Sequence, residues 1–362
     1  MDQARRKDLI DYFRYFADHH AFQLSPLYAK FSHHIADSDY LLNLANKATF
    51  GQPAANLIFA AVQYLLADKY QNDPLAEYYD TLGGNRSDDE GDPCVLFEAF
   101  IRAHEDVLLS LISTRITNTN EIGRCAILLP ALMAVEAEAQ APLHLVEIGP
   151  SCGLVLCWDK YSYDFGDTHI GPDDAAVKLT TDVKGPPPPL NDTFPIVASR
   201  VGLDLHPSDI NDPDTLAWQL ALIWPGGKDR AERISKAFDV VRAVQPRIIG
   251  GDAVETIADV IENLPGNGAV CVHHSFATYQ IPPDRRQVLS DTLAELGRQR
   301  PIWRIGIEWI DDGGRGLKQG DNTVGIARYR DGKREFQAMG FCHSHGRWIE
   351  WEPQAPQSAD VL

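Results

Sequence analysis

Residues 143–161 read LHLVEIGPSCGLVLCWDKY. A short apolar run ends in Glu147-Ile148-Gly149-Pro150-Ser151-Cys152-Gly153, after which an apolar pattern suited to a helix resumes. This is the layout of a strand, a tight glycine turn and a helix N-terminus. Gly149 and Gly153 lack the Cβ that disfavours positive φ, so the chain can bend sharply there and let a ligand approach the backbone. A helix beginning at the turn would present unpaired N–H groups and a positive dipole end. The stretch predicts a small-molecule site at the edge of an α/β sheet.

The chain changes character on either side of this turn. Upstream, residues 1–140 read as helices: Leu9, Tyr12, Phe13 and Phe16, then Leu57, Ile58, Ala61 and Leu65, then Phe97, Phe100, Ile101, His104, Leu108 and Leu111 recur at helical spacing. The polar stretch 83–93 is a loop between helices, Asn120 is placed to cap the helix that follows it, and Pro130 is expected to kink or end that helix near Leu129. Downstream, short apolar runs at 143–148, 198–205, 247–250, 269–273 and 302–308 alternate with helical patterns at 216–222, 230–244, 254–264 and 284–299. That alternation predicts a largely parallel sheet. Asp331-Gly332 between two strand-like runs adds an antiparallel hairpin. The expected organisation is a helical substrate or lid domain over 1–140, then an α/β domain over 141–351. Residues 162–195 form an irregular insertion in that domain, and a Pro/Gln/Ser-rich tail over 352–362 is expected to fray.

Composition narrows the function classes. The sequence is 44% hydrophobic and 23% charged, enough to build a large core without staples. Thirty-three Lys and Arg against 51 Asp and Glu give a formal charge of −18, a surface that repels nucleic acid and anionic lipid. Six scattered cysteines without a CxxC pair fit reduced thiols, and no window is apolar enough to span a membrane, so a cytoplasmic protein acting on a small-molecule substrate is expected.

Acidic residues close the successive strands. Glu147 opens the pattern ExGxSxG, Asp204 ends the second run and can accept ribose hydroxyls, and Asp252, in Gly251-Asp252-Ala253, can receive the exocyclic amine of adenine. The fingerprint GxGxxG is absent, so an adenosine ligand without a phosphate cradle is favoured. His273-His274-Ser275 follows the fourth strand, and an imidazole there, with His274 and Ser275 the preferred pair, can serve as general base. Trp158, Tyr161 and Tyr163 lie just past the turn, where aromatic faces can stabilise a cation or simply pack. Asn120, Glu121 and Arg124 cluster between apolar helices and can hold a polar substrate.

The order of Glu147 to Gly153, Asp204, Asp252 and a terminal hairpin resembles the class I S-adenosylmethionine-dependent methyltransferases. More closely, TNTNEIGRCAILLPAL, EIGPSCGLVLCWDKYSYDFG, VASRVGLDLHP, LIWP, GGDAVETI and the strand into HHS resemble the bacterial family designated domain of unknown function 2332. The methyltransferase resemblance implies a Rossmann-like core holding S-adenosyl-L-methionine, with Glu147 and Gly149 near its methionine end, Ser151 and Gly153 in the loop, Asp204 on its ribose, and Asp252 with Ala253 on its adenine. It implies transfer of a methyl group to a small polar acceptor. Within the same fold, Asn120 and Tyr161 can instead hold an unprotonated amine of the cofactor itself, giving methylthioadenosine and a small cyclic amino acid.

Three other readings use the same residues. Gly149-Pro150-Ser151-Cys152-Gly153 satisfies GxSxG, so Ser151, Asp252 and His274 or His343 stand in the chain order of an α/β-hydrolase triad, but only helices precede the turn. Cys342, His343 and His345 lack a companion pair at metal-ligand spacing, so no metal is expected and loop histidines are. A binding protein that has lost its chemistry is the remaining class.

Overall fold

The computed structural model describes residues 1–118, 120–266, 268–308 and 321–358. Helices run α1 Gln3–Tyr15, α2 Pro26–Asp37, α3 Asp39–Ala45, α4 Ala54–Asp68, α5 Pro93–Ala103, α6 Glu105–Thr114, α7 Arg124–Ala139, α8 Pro213–Ala221, α9 Lys228–Val244, α10 Ala253–Glu262 and α11 Pro283–Leu296. The described residues divide into two compact units, one of 1–120 with 211–235 and one of 121–210 with 236–362.

The first unit is helical and is organised on α4. This helix is apolar on nearly every side, and such a helix is stable only when neighbours surround it. Phe59 stacks on Tyr28 at 4.2 Å between ring centroids, and Phe31 stacks on Phe97 at 4.1 Å. Trp218 and Ala221 of α8 belong to the same core. Gln63 of α4 donates to the carbonyl of Ile223 at 2.9 Å, which locks the end of α8 in place.

The second unit is built on a sheet. Its strands are β1 Leu143–Ile148, β2 Ser162–Asp164, β3 His169–Ile170, β4 Lys178–Thr180, β5 Asp182–Lys184, β6 Val197–Asp204, β7 Arg247–Gly250, β8 Ala269–Ser275, β9 Ile302–Glu308, β10 Asp321–Arg330, β11 Lys333–His343 and β12 Trp348–Trp351. Among the described residues the main sheet has nine strands in the order β5-β12-β11-β10-β9-β8-β1-β6-β7. The run β7-β6-β1-β8-β9 is parallel throughout, and β10 and β11 form the antiparallel hairpin signalled by Asp331-Gly332. Helices cover both faces. Val146, Ile148, Val270, Val272 and Ile302 meet the apolar sides of α10 and α11. On the opposite face Trp303 donates to Glu138 of α7 at 3.0 Å, and Arg328 pairs with the same carboxylate.

Several expectations are revised. The residues after Gly153 form a kinked 3-10 segment, Val155–Lys160, in place of an α-helix. Leu156, Cys157 and Trp158 are all buried, so the segment is enclosed rather than one-sided, and Tyr161 donates its hydroxyl to the carbonyl of Leu154 at 2.7 Å to turn the chain into β2. Asn120 is not the N-cap of α7: the helix begins at Arg124 after Gly123, and Glu121 accepts from the Gly123 N–H at 3.0 Å. Helix α7 continues through Pro130 to Ala139, held by burial along most of its length. The 162–195 insertion carries β2, β3, β4 and β5, the first three as a small sheet and β5 paired to β12. In the tail, Gln357 bridges Phe336, and 359–362 lie outside the described residues.

Candidate functional site

The chain order of the strands reverses between β1 and β8, and in an open α/β sheet the carboxyl ends of the strands at such a point are the usual ligand position. Residues 149–153 leave the carboxyl end of β1 there. Gly149 has φ +76° and Gly153 φ +88°, and Ser151 takes the left-handed region as well at +53°. The turn is tightly seated. A methyl on Gly149 would meet Cβ of Ala277 at 2.8 Å, and one on Gly202 would meet Cγ of Pro150 at 2.5 Å.

Asp204 fixes this turn to the end of β6. One of its oxygens accepts from the Ser151 N–H at 2.8 Å and the other from the His206 N–H at 2.9 Å. Ser151 Oγ lies 3.1 Å from Ser208 Oγ. Asp252 is the N-cap of α10, accepting from Val254 N–H at 2.8 Å, and its second oxygen pairs with Arg285 at 2.8 Å. Ala253 is the first residue of that helix.

Strand alternation sorts the two histidines. His273 is the register partner of Glu147, so the two side chains emerge side by side on the α7 face. His274 points to the α10 and α11 face. There Arg304 Nε donates to His274 Nε2 at 3.0 Å, and His274 Nδ1 meets Glu308 Oε1 at 2.8 Å. A guanidinium only donates, so Nε2 accepts and Nδ1 carries the proton toward Glu308. The same Glu308 oxygen accepts from the N–H groups of Ala277 and Thr278 and from the Thr278 hydroxyl, at 3.0, 2.9 and 3.0 Å. Burial alone would raise the Glu308 carboxyl; the His274 ring and the Thr278 donors outweigh it and hold it down at about 2. Glu308 thus shapes the turn after β8, opposite Gly149. Nothing in the motif reading pointed to it, although an acid ending β9 repeats the signal of Glu147 and Asp204.

Glu147 and His273 have a different environment. Glu147 is 2% and His273 1% exposed, and Glu147 Oε2 and His273 Nε2 have no hydrogen-bond partner among the described residues. Burial pushes the Glu147 carboxyl up to about 8, with the Asp204 charge adding to the rise and Arg124 opposing it. Burial, with His274 beside it, drives the His273 imidazole down to about 3. Both groups are held neutral near pH 7.

The other expected residues fall around this pair or away from it. Arg124, at the start of α7, donates to the Ser344 carbonyl at 2.9 Å, reaches the carbonyl and hydroxyl of Ser275 at 3.4 Å, and lies over the Phe276 ring. Glu121 pairs with His345 at 3.0 Å. Cys342 is buried, and no group of three or more His, Cys, Asp or Glu is set to hold a metal among the described residues. Tyr163 donates to the Trp158 carbonyl at 2.6 Å, and Tyr161, Tyr163 and Trp158 are fully buried. Asn120 belongs to the first unit, where its amide donates to Gln219 at 2.5 Å.

A family model described as "Uncharacterized protein conserved in bacteria (DUF2332)" matches residues 11–351. The chain belongs to this family. The match extends across both units. No curated protein matches the chain. No helix among the described residues is long and apolar enough to cross a membrane.

Proposed function

We propose that this chain is an S-adenosylmethionine-dependent transferase acting on a small polar acceptor, with a Rossmann-like methyltransferase core. The observation that carries the reading is the buried Glu147, whose second oxygen has no partner among the described residues, at the switch point of the parallel strands. A buried polar atom left without a partner calls for one, and the cationic amino end of the cofactor is a suitable partner. The absence of a GxGxxG phosphate cradle, with Asp204 closing β6, suits an adenosine ligand that carries no phosphate.

Glu147 and the backbone of Gly149 would hold the methionine end, and the remaining lone pairs of Asp204 would face the ribose. Asp252 fits the adenine less well than Asp204 fits the ribose, since the Arg285 guanidinium neutralises its charge while its other oxygen caps α10. When bound, the cofactor supplies a carbon activated by its sulfonium. The chain's own contribution is to orient, through the seated 149–153 turn and the Glu308-ordered turn after β8, and to exclude water.

A second outcome keeps the same site: consumption of the cofactor without an acceptor, with release of methylthioadenosine and a small cyclic amino acid. Burial raises Glu147 to about 8, so its carboxylate can take a proton from an ammonium held beside it, as this outcome requires. The hydrolase arrangement has less support, because Ser151 meets Ser208 and both ring nitrogens of His274 are engaged. Calorimetry with S-adenosylmethionine, followed by chromatography of the products, tests the reading. Binding with S-adenosylhomocysteine formed supports methyl transfer, and methylthioadenosine supports cyclisation. Absence of binding by either S-adenosylmethionine or S-adenosylhomocysteine sinks both.

A further inference from the structure

A cavity of about 490 Å³ opens within the second unit at the amino edge of the sheet, the edge opposite the 149–153 turn. Its lining includes Ala139, Glu262 and Leu296, the last residues of α7, α10 and α11, with Ala269 and Trp303 from the starts of β8 and β9. Strand β8 runs from Ala269 to Ser275, so about 20 Å of strand separates this cavity from the carboxyl edge. The volume lies in the range of small-molecule sites.

Arg300 is the cation of this cavity. Its guanidinium donates to the carbonyl of Gly268 at 2.5 Å, which fixes the fork on the cavity wall. A Cβ on Gly268 would fall 2.6 Å from His144 Nε2 and 2.7 Å from the Pro142 carbonyl, so the backbone that anchors Arg300 is closely seated. The surrounding arginines are paired: Arg298 with Glu295, Arg334 with Asp291, and Arg328 and Arg330 with Glu138. Arg300 meets no carboxylate among the described residues, and burial lowers it from its ordinary value with no acid to raise it. In a chain with 51 acidic residues against 33 basic ones, a partly buried guanidinium without an acid is a place for an anion from outside.

We propose that this cavity is a second small-molecule site, which takes a monocarboxylate with a short apolar chain, the carboxylate resting on the Arg300 fork. A guanidinium has five N–H donors in one plane; one goes to Gly268, and the others can serve both oxygens of a carboxylate. Ile261, Leu264, Leu296 and Trp303 supply apolar surface for the chain. Trp303 is itself held in place, by its bond to Glu138 and by Arg330 over its ring at 4.8 Å.

The charge around the cavity selects a monoanion. Glu262 is exposed on its rim, and three helices end there with the negative ends of their dipoles. One negative charge is matched by Arg300, whereas the second charge of a phosphate or a dicarboxylate would meet repulsion. His144 adds no positive charge near pH 7, because burial and then Arg300 lower its imidazole from the ordinary value.

Fluorine NMR of the full chain tests the proposal, with trifluorobutanoate, fluorinated on its terminal methyl, as the probe. The fluorine signal should shift saturably, and the corresponding neutral amide should bind about tenfold or more weakly. Butanoate should displace the probe, and succinate should not. Arg300→Gln should weaken binding about tenfold or more, and Arg300→Lys should recover part of that loss. Ala141→Leu, which places extra carbon in the cavity lining, should abolish saturable binding while the circular dichroism stays that of the native chain. Absence of saturation, equal binding of the amide, or displacement by succinate as strong as by butanoate would overturn the site. So would native affinity in folded Arg300→Gln or Ala141→Leu. Should either variant fail to fold, the amide and succinate, which need no substitution, decide the matter.

Discussion

Replacing Glu308 by Gln removes one negative charge and keeps the side-chain volume. In the native protein a single oxygen of Glu308 collects the His274 ring, two backbone N–H groups and the Thr278 hydroxyl, all at 2.8–3.0 Å. Its carboxyl is held down at about 2 from an ordinary 4.5. Because the folded value lies below the unfolded one, the stabilisation is fully present above pH 4.5 and is lost as pH falls from there through about 2. The difference corresponds to about 3 kcal/mol at neutral pH. Glu308→Gln should therefore unfold with a free energy about 3 kcal/mol lower in urea at pH 7, as followed by tryptophan fluorescence and circular dichroism. The gap between the two proteins should narrow steadily as the pH is lowered from 4.5 toward 2. A loss below about 1 kcal/mol at pH 7, the range of an ordinary single hydrogen bond, or a gap independent of pH would refute the reasoning.

Gly149→Ala places a methyl 2.8 Å from Ala277 Cβ at a φ of +76°, so we expect a loss of about 1–3 kcal/mol in thermal or urea unfolding and weaker S-adenosylhomocysteine binding by calorimetry. Retention of wild-type stability would show that the two turns do not touch. Asp252→Ala should cost about 1 kcal/mol through its helix cap while leaving S-adenosylhomocysteine affinity within about twofold, and a tenfold loss would return Asp252 to the adenine.

The sheet was legible because its signals are local. The runs 143–148, 247–250 and 302–308 have the expected bounds, since short stretches of β-branched and apolar residues between breakers suit only buried strands, and Asp331-Gly332 marked its hairpin by turn chemistry alone. What escaped depended on distant partners. Nothing near residue 155 announces that Leu156, Cys157 and Trp158 are all enclosed, and that enclosure is what converts an α-like pattern into a kinked 3-10 segment. Pro130 inside α7 is tolerated because tertiary burial outweighs one missing hydrogen bond. For the site, acids at strand ends were visible, but the partition of His273 and His274 required knowing the register against β1 and the presence of Arg304 on β9. The cap role of Asp252 was the ordinary reading of an acid before a helix, and its pairing with Arg285 lies thirty-three positions along the chain.

The first unit is not continuous in the chain: α8 supplies Trp218 and Ala221 to its core, and Gln63 is tied to Ile223. During synthesis the amino-terminal helices therefore emerge with part of their apolar surface uncovered. They must wait until β1 and β6 and then α8 have left the ribosome before that surface can close. The usual order, in which an amino-terminal domain completes itself first, does not hold here. A fragment cut at residue 140, where the helical pattern gives way to strands, would lack a piece of its own interior and expose apolar groups to aggregation.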